Sequence, residues 1–211
     1  MNSKDWYLQG KANNDIEAYK KAVVGDDLWY IDKLNALVAI SRIELDVQHF
    51  GEALKYAVLA SICTESPRAD VCCLLGDIYF QKDNLRWAKL WFEQAVGNIL
   101  LGSEAEGLDM KYCTTYPLAS LSTIEYAMGN VKNAIEYNDT VLELDSENEV
   151  ALNNKVFLKQ GDNPTVRCEI YESLPSFEST NNFHVGQIIA LTNGEKYVAT
   201  KDKQGLKWHK L

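Results

Sequence analysis

Residues 69–80 read Ala69-Asp-Val-Cys-Cys-Leu-Leu-Gly-Asp-Ile-Tyr-Phe80, and after the polar break Gln81-Lys-Asp-Asn84 the chain continues Leu85-Arg-Trp-Ala-Lys-Leu-Trp-Phe-Glu-Gln-Ala-Val96. The first half places Cys72, Leu75, Gly76 and Tyr79 on one face at helical spacing, and the second does the same with Ala88, Phe92 and Ala95. Gly76 and Ala88 are the small residues that let two paired helices approach closely. Leu75, Tyr79, Phe92 and Ala95 then fill the space between them. The stretch is a helical hairpin.

Apart from Cys72, where tryptophan is usual, the joint spacing of these positions resembles the tetratricopeptide repeat (TPR), a unit of two antiparallel helices. The first alanine of each second helix recurs as Ala18, Ala53 and Ala88, a period of 35. In the first unit Asp15 is the expected N-cap of Ile16-Glu-Ala-Tyr-Lys-Lys-Ala-Val23, with a short partner helix near Ser3–Gln9. The second unit runs from about Tyr30 to Thr64, with Leu37, Ile40 and Ile43, then Phe50, Ala53, Ala57 and Ala60, on its packed faces, and Pro67 closing it. The fourth marker, Ala134, stands 46 residues past Ala88. About eleven residues are therefore inserted relative to the repeat, and the Gly- and acid-rich stretch Gly97–Met110 is expected as an extended loop. The fourth unit is expected to start at Pro117 and turn at Gly129-Asn130, and a helix over Glu149–Lys159 is expected to cap the stack.

Gly161-Asp-Asn-Pro164 breaks the pattern, and the period changes beyond it. Val166–Tyr171 alternates, Gln187–Thr200 reads as a hairpin around an Asn193-Gly194 turn, and Leu206–Lys210 forms a further strand. Three short strands are marginal alone, so Phe183, Tyr197 and Trp208 are expected to pack together or against the last helices. The expected fold is mainly α: a TPR-like α-α superhelix of about three to four helix pairs plus a cap helix over residues 1–160. A small antiparallel β-rich C-terminal module, residues 161–211, is appended to it.

Composition narrows the function classes. A hydrophobic content of 46% with five Trp belongs to a packed protein. No run approaches the ~18 apolar residues of a membrane span, and Met1-Asn-Ser-Lys-Asp5 does not read as a signal peptide, so no membrane partner is expected. Cys63, Cys72, Cys73, Cys113 and Cys168 are odd in number and contain no Cys-x-x-Cys pair, which points to reduced thiols and a cytoplasmic location. The net charge is −9, and residues 1–160 carry all of it, with 15 Lys/Arg against 24 Asp/Glu; the remainder balances at 6 and 6. An acidic helical body repels phosphate backbones, so no nucleic-acid partner is expected.

A search for chemistry returns little. The chain has no Gly-rich phosphate loop, no His-Glu-x-x-His, no serine nucleophile elbow and no Asp-x-Asp pair, so no catalytic residue, no metal site and no cofactor is assigned. His49, with Asp46 and Glu52 nearby, reads as a solvated turn rather than a metal site. Cys72 and Cys73 point about 100° apart on a helix and cannot form an ordinary disulfide, so they are read as packing residues.

Recognition is the better-supported class, since stacked helix pairs form a superhelix whose concave face carries the outward residues of each first helix. The spacing places Asn35, Val38, Arg42 and Leu45 there, then Asp70, Cys73, Asp77, Phe80 and Gln81, then Tyr116, Ala119, Thr123 and Tyr126, with Asn153 and Phe157 from the cap helix. Two readings stay open at this level. These residues form an adaptable peptide-binding surface, or they pack on the inserted stretch 97–112 folded back over the groove. The Lys/Asn set with which other TPR proteins hold a C-terminal carboxylate is missing, which disfavours that mode.

A narrower resemblance lies in Ser66-Pro67-Arg68-Ala69-Asp70-Val71-Cys72-Cys73 with Leu75-Gly76, in Lys89, Trp91-Phe92 and Ala95, and in Thr115-Tyr116-Pro117-Leu118 with Leu121. Glu136-Tyr137-Asn138, Asn153 and Lys155 extend it. Over roughly residues 5–160 these are similar to the C-terminal helical region that follows the catalytic domain of bacterial and phage family-2 glycosyltransferases. In those enzymes a nucleotide-sugar domain with an acidic metal motif comes first. The sequence here begins where that domain would end, so no catalytic residue carries over. The resemblance implies an accessory module that positions an acceptor, holds a partner glycosyltransferase or self-associates. The β-rich tail lies outside it, and its Val185-Gly186-Gln187 and Tyr197-Val198 pattern resembles small β modules of phage and cell-wall proteins.

The reading of first choice is a non-enzymatic scaffold that binds a protein or peptide in the concave groove, using Asn35, Arg42, Asp77, Phe80, Gln81, Thr123, Tyr126 and Asn153. The alternatives are the helical part of a glycosyltransferase system and a self-assembling phage or host component, with a homodimer as one possible form.

Overall fold

The computed structural model describes residues 1–98, 107–161, 169–171, 188–191, 196–202 and 205–210. The described residues hold nine α-helices: α1 (Ser3–Asn13), α2 (Ile16–Val24), α3 (Tyr30–Asp46), α4 (Phe50–Ser61), α5 (Ala69–Gln81), α6 (Leu85–Ala95), α7 (Thr115–Ala127), α8 (Val131–Leu144) and α9 (Glu149–Gly161). Helices α1/α2, α3/α4, α5/α6 and α7/α8 pair, and each pair packs on the next through α2/α3, α4/α5 and α6/α7. This is the stacking of a mainly α, TPR-like superhelix.

The register of the repeats is set by one backbone feature. Asn14, Gln48, Asp83 and Gly129 adopt φ of 51°, 62°, 58° and 83°, the left-handed conformation that ends a helix sharply. In each case the following N–H returns to a carbonyl five residues back: Asp15 to Gly10, His49 to Glu44, Asn84 to Tyr79 and Asn130 to Glu125. Counted from these residues the first two spacings are 34 and 35, not a constant 35. Ala53, Ala88 and Ala134 each lie five places after the left-handed residue, whereas Ala18 lies four after Asn14 and Tyr19 takes the fifth place. The first unit therefore packs differently. Tyr7 and Tyr19 stand at a ring separation of 6.2 Å where later units place small residues, and a Cβ on Gly10 would come within 2.7 Å of the Tyr19 ring.

In the later units the close approach has two solutions. A Cβ on Gly76 would lie 2.8 Å from the buried Phe92 ring, so only hydrogen fits there. Ser41 and Ser122 occupy the same place, and each donates its hydroxyl across the pair, Ser41 Oγ to the Ala53 carbonyl at 2.7 Å and Ser122 Oγ to the Ala134 carbonyl at 2.8 Å. Both hydroxyls are fully buried and satisfied by this bond.

A second repeated device pins one unit to the next. Four residues before the left-handed turn, where Tyr79 stands in the third unit, the second and fourth units carry the buried carboxylates Glu44 and Glu125. Lys20 of the preceding second helix reaches Glu44 at 3.2 Å, and Lys89, at the same place one unit before α7, reaches Glu125 at 2.6 Å. The helix-capping position supplies another partner, His49 Nδ1 at 2.9 Å from Glu44 and Asn130 Nδ2 donating to Glu125 at 2.7 Å. The His49 and Lys20 bonds hold the Glu44 carboxyl below its ordinary range. Burial works against ionisation of Glu125, yet the bonds from Lys89 and Asn130 win and its pKa is lowered too. Lowered values mean stability that is present at neutral pH and is lost as acid protonates the pair.

The chain divides into two compact units, residues 1–155 and 156–211, so the division falls inside α9. In the second unit four strands, β1 (Glu169–Tyr171), β2 (Ile188–Leu191), β3 (Lys196–Asp202) and β4 (Gly205–Lys210), pair in that order. β1 runs parallel to β2, unlike the expected all-antiparallel arrangement, and the other two pairings are antiparallel. The Asn193-Gly194 turn and Phe183 lie outside the described residues, as do Cys168 and the side chains of Phe157, Tyr197 and Trp208.

Gly76→Ala is expected to destabilise the chain. Alanine gains ~1 kcal/mol over glycine in a helix, but forcing a methyl into the buried Phe92 ring costs ~1–3 kcal/mol. A lower urea midpoint for this variant checks the claim, and a higher one would show that α5 and α6 separate freely.

Candidate functional site

Helix α1 touches α3, and α3 touches α5, so the first helix of each pair lies in an inner layer. Between α5 and α7 that layer is completed by chain from outside the repeat. A 3₁₀ turn over Met110–Cys113 contacts both helices, with Asp109 accepting the Lys111 N–H at 3.0 Å to start it. Gly97 N–H donates to the Cys113 carbonyl at 3.0 Å, and Cys113 Sγ lies 3.4 Å from the Asn98 carbonyl. Asn98 Nδ2 donates in turn to the Pro67 carbonyl at 2.8 Å. The two ends of the insertion are thus tied together beside the loop that precedes α5.

The described ends of the stretch Gly97–Met110, expected as an extended loop, hold no helix or strand before the turn that begins at Met110, and the chain that follows packs inward. Cys113 is buried with Ala69, Cys72, Cys73, Leu121 and Ile124. Cys73 Sγ lies 3.4 Å from the Tyr112 carbonyl. Gly107, at φ +79°, sits so close to Asn35 that a Cβ would meet its amide at 3.3 Å. Residues 99–106 lie outside the described chain.

The insertion occupies one side of the inner face. Asn35 Oδ1 accepts from Arg68 at 2.7 Å, and Arg68, only 1% exposed, forks onto both oxygens of buried Asp70 at 2.7 and 2.8 Å. Such a bidentate pair satisfies both charges in place. The Arg42 guanidinium lies 4.9 Å from the centre of the Tyr112 ring, a cation–π contact of about 0.5–1 kcal/mol. Val38, Asp70, Cys73 and Ala119, which the spacing placed on the concave surface, are buried. Packing of neighbouring helices and of the inserted turn covers them.

Two open clefts meet at one pair of side chains. Tyr116 Oη donates to Asp77, standing 2.9 and 3.0 Å from its two oxygens. Two clefts share this pair. One, of roughly 200 Å³, lies between α5 and α7 and is lined by Asp77, Phe80, Phe92, Tyr116, Ser120 and Thr123. The other, of about 340 Å³, faces α3 and adds Arg42, Leu45, Asp46, Leu74, Gln81 and Tyr112. Burial raises the Asp77 carboxyl from its ordinary 3.8 to about 6, against the opposing hydrogen bond from Tyr116 and the charge of Arg42. Burial and the neighbouring Asp77 carboxylate push the Tyr116 hydroxyl upward.

Five of the eight expected site residues, Arg42, Asp77, Phe80, Gln81 and Thr123, line these clefts. Asn35 is turned to Arg68, while half-buried Tyr126 and exposed Asn153 line neither. Tyr112 and Ser120 were not singled out from the sequence. Tyr112 belongs to the insertion, where the repeat offers no register, and Ser120 lies on α7 one turn after Tyr116. Among the described thiols, burial raises Cys72 to about 12 and pushes Cys63, Cys73 and Cys113 up as well, which disfavours the thiolate form in each.

The comparisons agree with the fold. Residues 69–98 match the tetratricopeptide repeat model. The crystal structure of MamA protein is similar over 76% of this chain and 80% of its own, at 17% identity and a TM-score of 0.57. A thermophilic TPR protein of Thermus thermophilus aligns over 75% and 77% of the two chains, at 19% identity and a TM-score of 0.46. No curated protein matches the sequence. At such identity the MamA likeness speaks for the fold alone.

Asp77→Asn keeps the acceptor for Tyr116 and removes a charge that burial disfavours. Because the folded pKa is raised, Asp77 costs stability as pH rises from about 4 through about 6. The variant is therefore expected to melt a few degrees higher than wild type at pH 8, with the gap closing below pH 4. Calorimetry across that range checks it, and an equal or lower melting temperature at pH 8 would contradict it.

Proposed function

We propose that the chain is a non-catalytic scaffold that holds an extended segment of a partner protein on the inner face of its helical stack. The observation that carries this reading is the pair of open clefts meeting at Asp77 and Tyr116, with Phe80 and Gln81 exposed on the α5 rim between them. The inner face of stacked helix pairs is an extended concave surface of the kind such repeats use for binding. Phe80, at 40% exposed, supplies an aromatic anchor, and Gln81, Arg42 and Thr123 supply polar contacts around it. Asn35 is held by Arg68, and Tyr126 and Asn153 are assigned to the same surface on their helical spacing alone. Among the described residues no helix is long and apolar enough to cross a membrane.

Affinity capture from the source cell with the intact chain, run beside light scattering, tests the proposal. A protein retained at fixed stoichiometry by wild type, and about tenfold less by Phe80→Ala/Gln81→Ala at an unchanged melting temperature, is the expected result. A glycosyltransferase as the captured protein would place the scaffold in the system its helical region resembles. A homodimer that captures nothing would contradict partner holding and favour self-assembly.

A further inference from the structure

The α5–α7 cleft has a chemical bias. All three of its hydroxyls have already given away their protons. Tyr116 Oη donates to Asp77, Ser120 Oγ donates to the Tyr116 carbonyl at 3.0 Å, and Thr123 Oγ1 donates to the Ala119 carbonyl at 3.1 Å. What remains for a ligand are hydroxyl and carboxylate lone pairs, together with the rings of Phe80, Phe92 and Tyr116. No cationic side chain of the described residues lines this cleft, and Arg42 lines the other one, over Tyr112. A carboxylate ligand would meet acceptors only. A cation would meet acceptors, a carboxylate and aromatic rings together.

On the strength of the scaffold reading, we propose that this cleft receives an arginine or lysine side chain of the bound segment, with Asp77 as its counter-ion. The carboxylate retains free lone pairs beyond those the Tyr116 hydroxyl takes. Among the described residues no Lys or Arg stands within ion-pair distance of Asp77; the charge that acts on it is that of Arg42 from α3. The raised carboxyl of Asp77 is consistent with a charge waiting for a partner, because an incoming cation relieves the burial that disfavours it. The acidic body, whose excess of Asp and Glu accounts for the whole net charge of −9, favours encounter with basic segments over acidic ones.

Display of short random peptides against the intact chain, followed by titration calorimetry of those retained, tests the inference. The expected result is peptides that share an Arg or Lys whose replacement by citrulline or norleucine weakens wild-type binding roughly tenfold but changes little against Asp77→Asn. That variant keeps its fold by the melting criterion given above. Retained peptides that are acidic, or whose neutralised forms bind as well as the originals, would overturn the cationic assignment and leave the scaffold reading standing. An equal loss against wild type and Asp77→Asn would also overturn it. Retention of no peptide at all would overturn the scaffold reading itself, and this inference with it.

Discussion

The contact between the Met110–Cys113 turn and the two helices beside it, α5 and α7, is what the rest of the inner face depends on. A regular repeat would bring those helices together directly, as α3 and α5 meet. Here Tyr112 and Cys113 stand in the gap, anchored by the bonds that join Gly97 and Asn98 to Cys113. The same turn takes up Arg42 through the Tyr112 ring and sets Tyr116 edge-on to it, at 5.3 Å and 66°. Tyr116 then holds Asp77. The insertion fills one side of the groove and, through that chain of contacts, shapes the clefts that stay open on the other.

Charge is used in two ways within the helical unit. Glu44 and Glu125 are buried with their partners already in place, each fastened to a lysine of the preceding second helix and to a capping residue. Arg68 and Asp70 likewise satisfy one another. Removing one member of such a pair leaves an uncompensated charge, so these are features of the fold and poor candidates for a ligand. Asp77 differs because its one close partner among the described residues is a neutral hydroxyl. Its free energy is the more sensitive to what arrives from outside.

Much of the helical unit was legible in the sequence because small and apolar residues recur at spacings that only paired helices explain. Gly76, Ala88 and Phe92 gave the third unit, and the spacing from Ala88 to Ala134 revealed the insertion. The shift in the first unit was not legible, since Ala18 is as small and as buried as the alanines it was aligned with; the left-handed residue Asn14 is what shows the true register. The return of the inserted chain was legible only as one of two open readings. Leu108, Tyr112 and Cys113 carry no periodicity, and their destination is fixed by space that the rest of the stack leaves empty. Five expected site residues face the clefts because helical spacing alone decides which side of α3, α5 and α7 they occupy. Asn35 does not, because its fate is set by Arg68 and Gly107, neither of which lies near it in sequence.

The most direct test is a crystal structure of the intact chain with a bound peptide. The account requires the peptide to cross α5 and α7 on the inner face, with a side chain in the cleft at Asp77 and the Arg42–Tyr112 contact retained. A peptide seated on the outer helices α4, α6 and α8, or one that expels residues 107–113 from the groove, would contradict it.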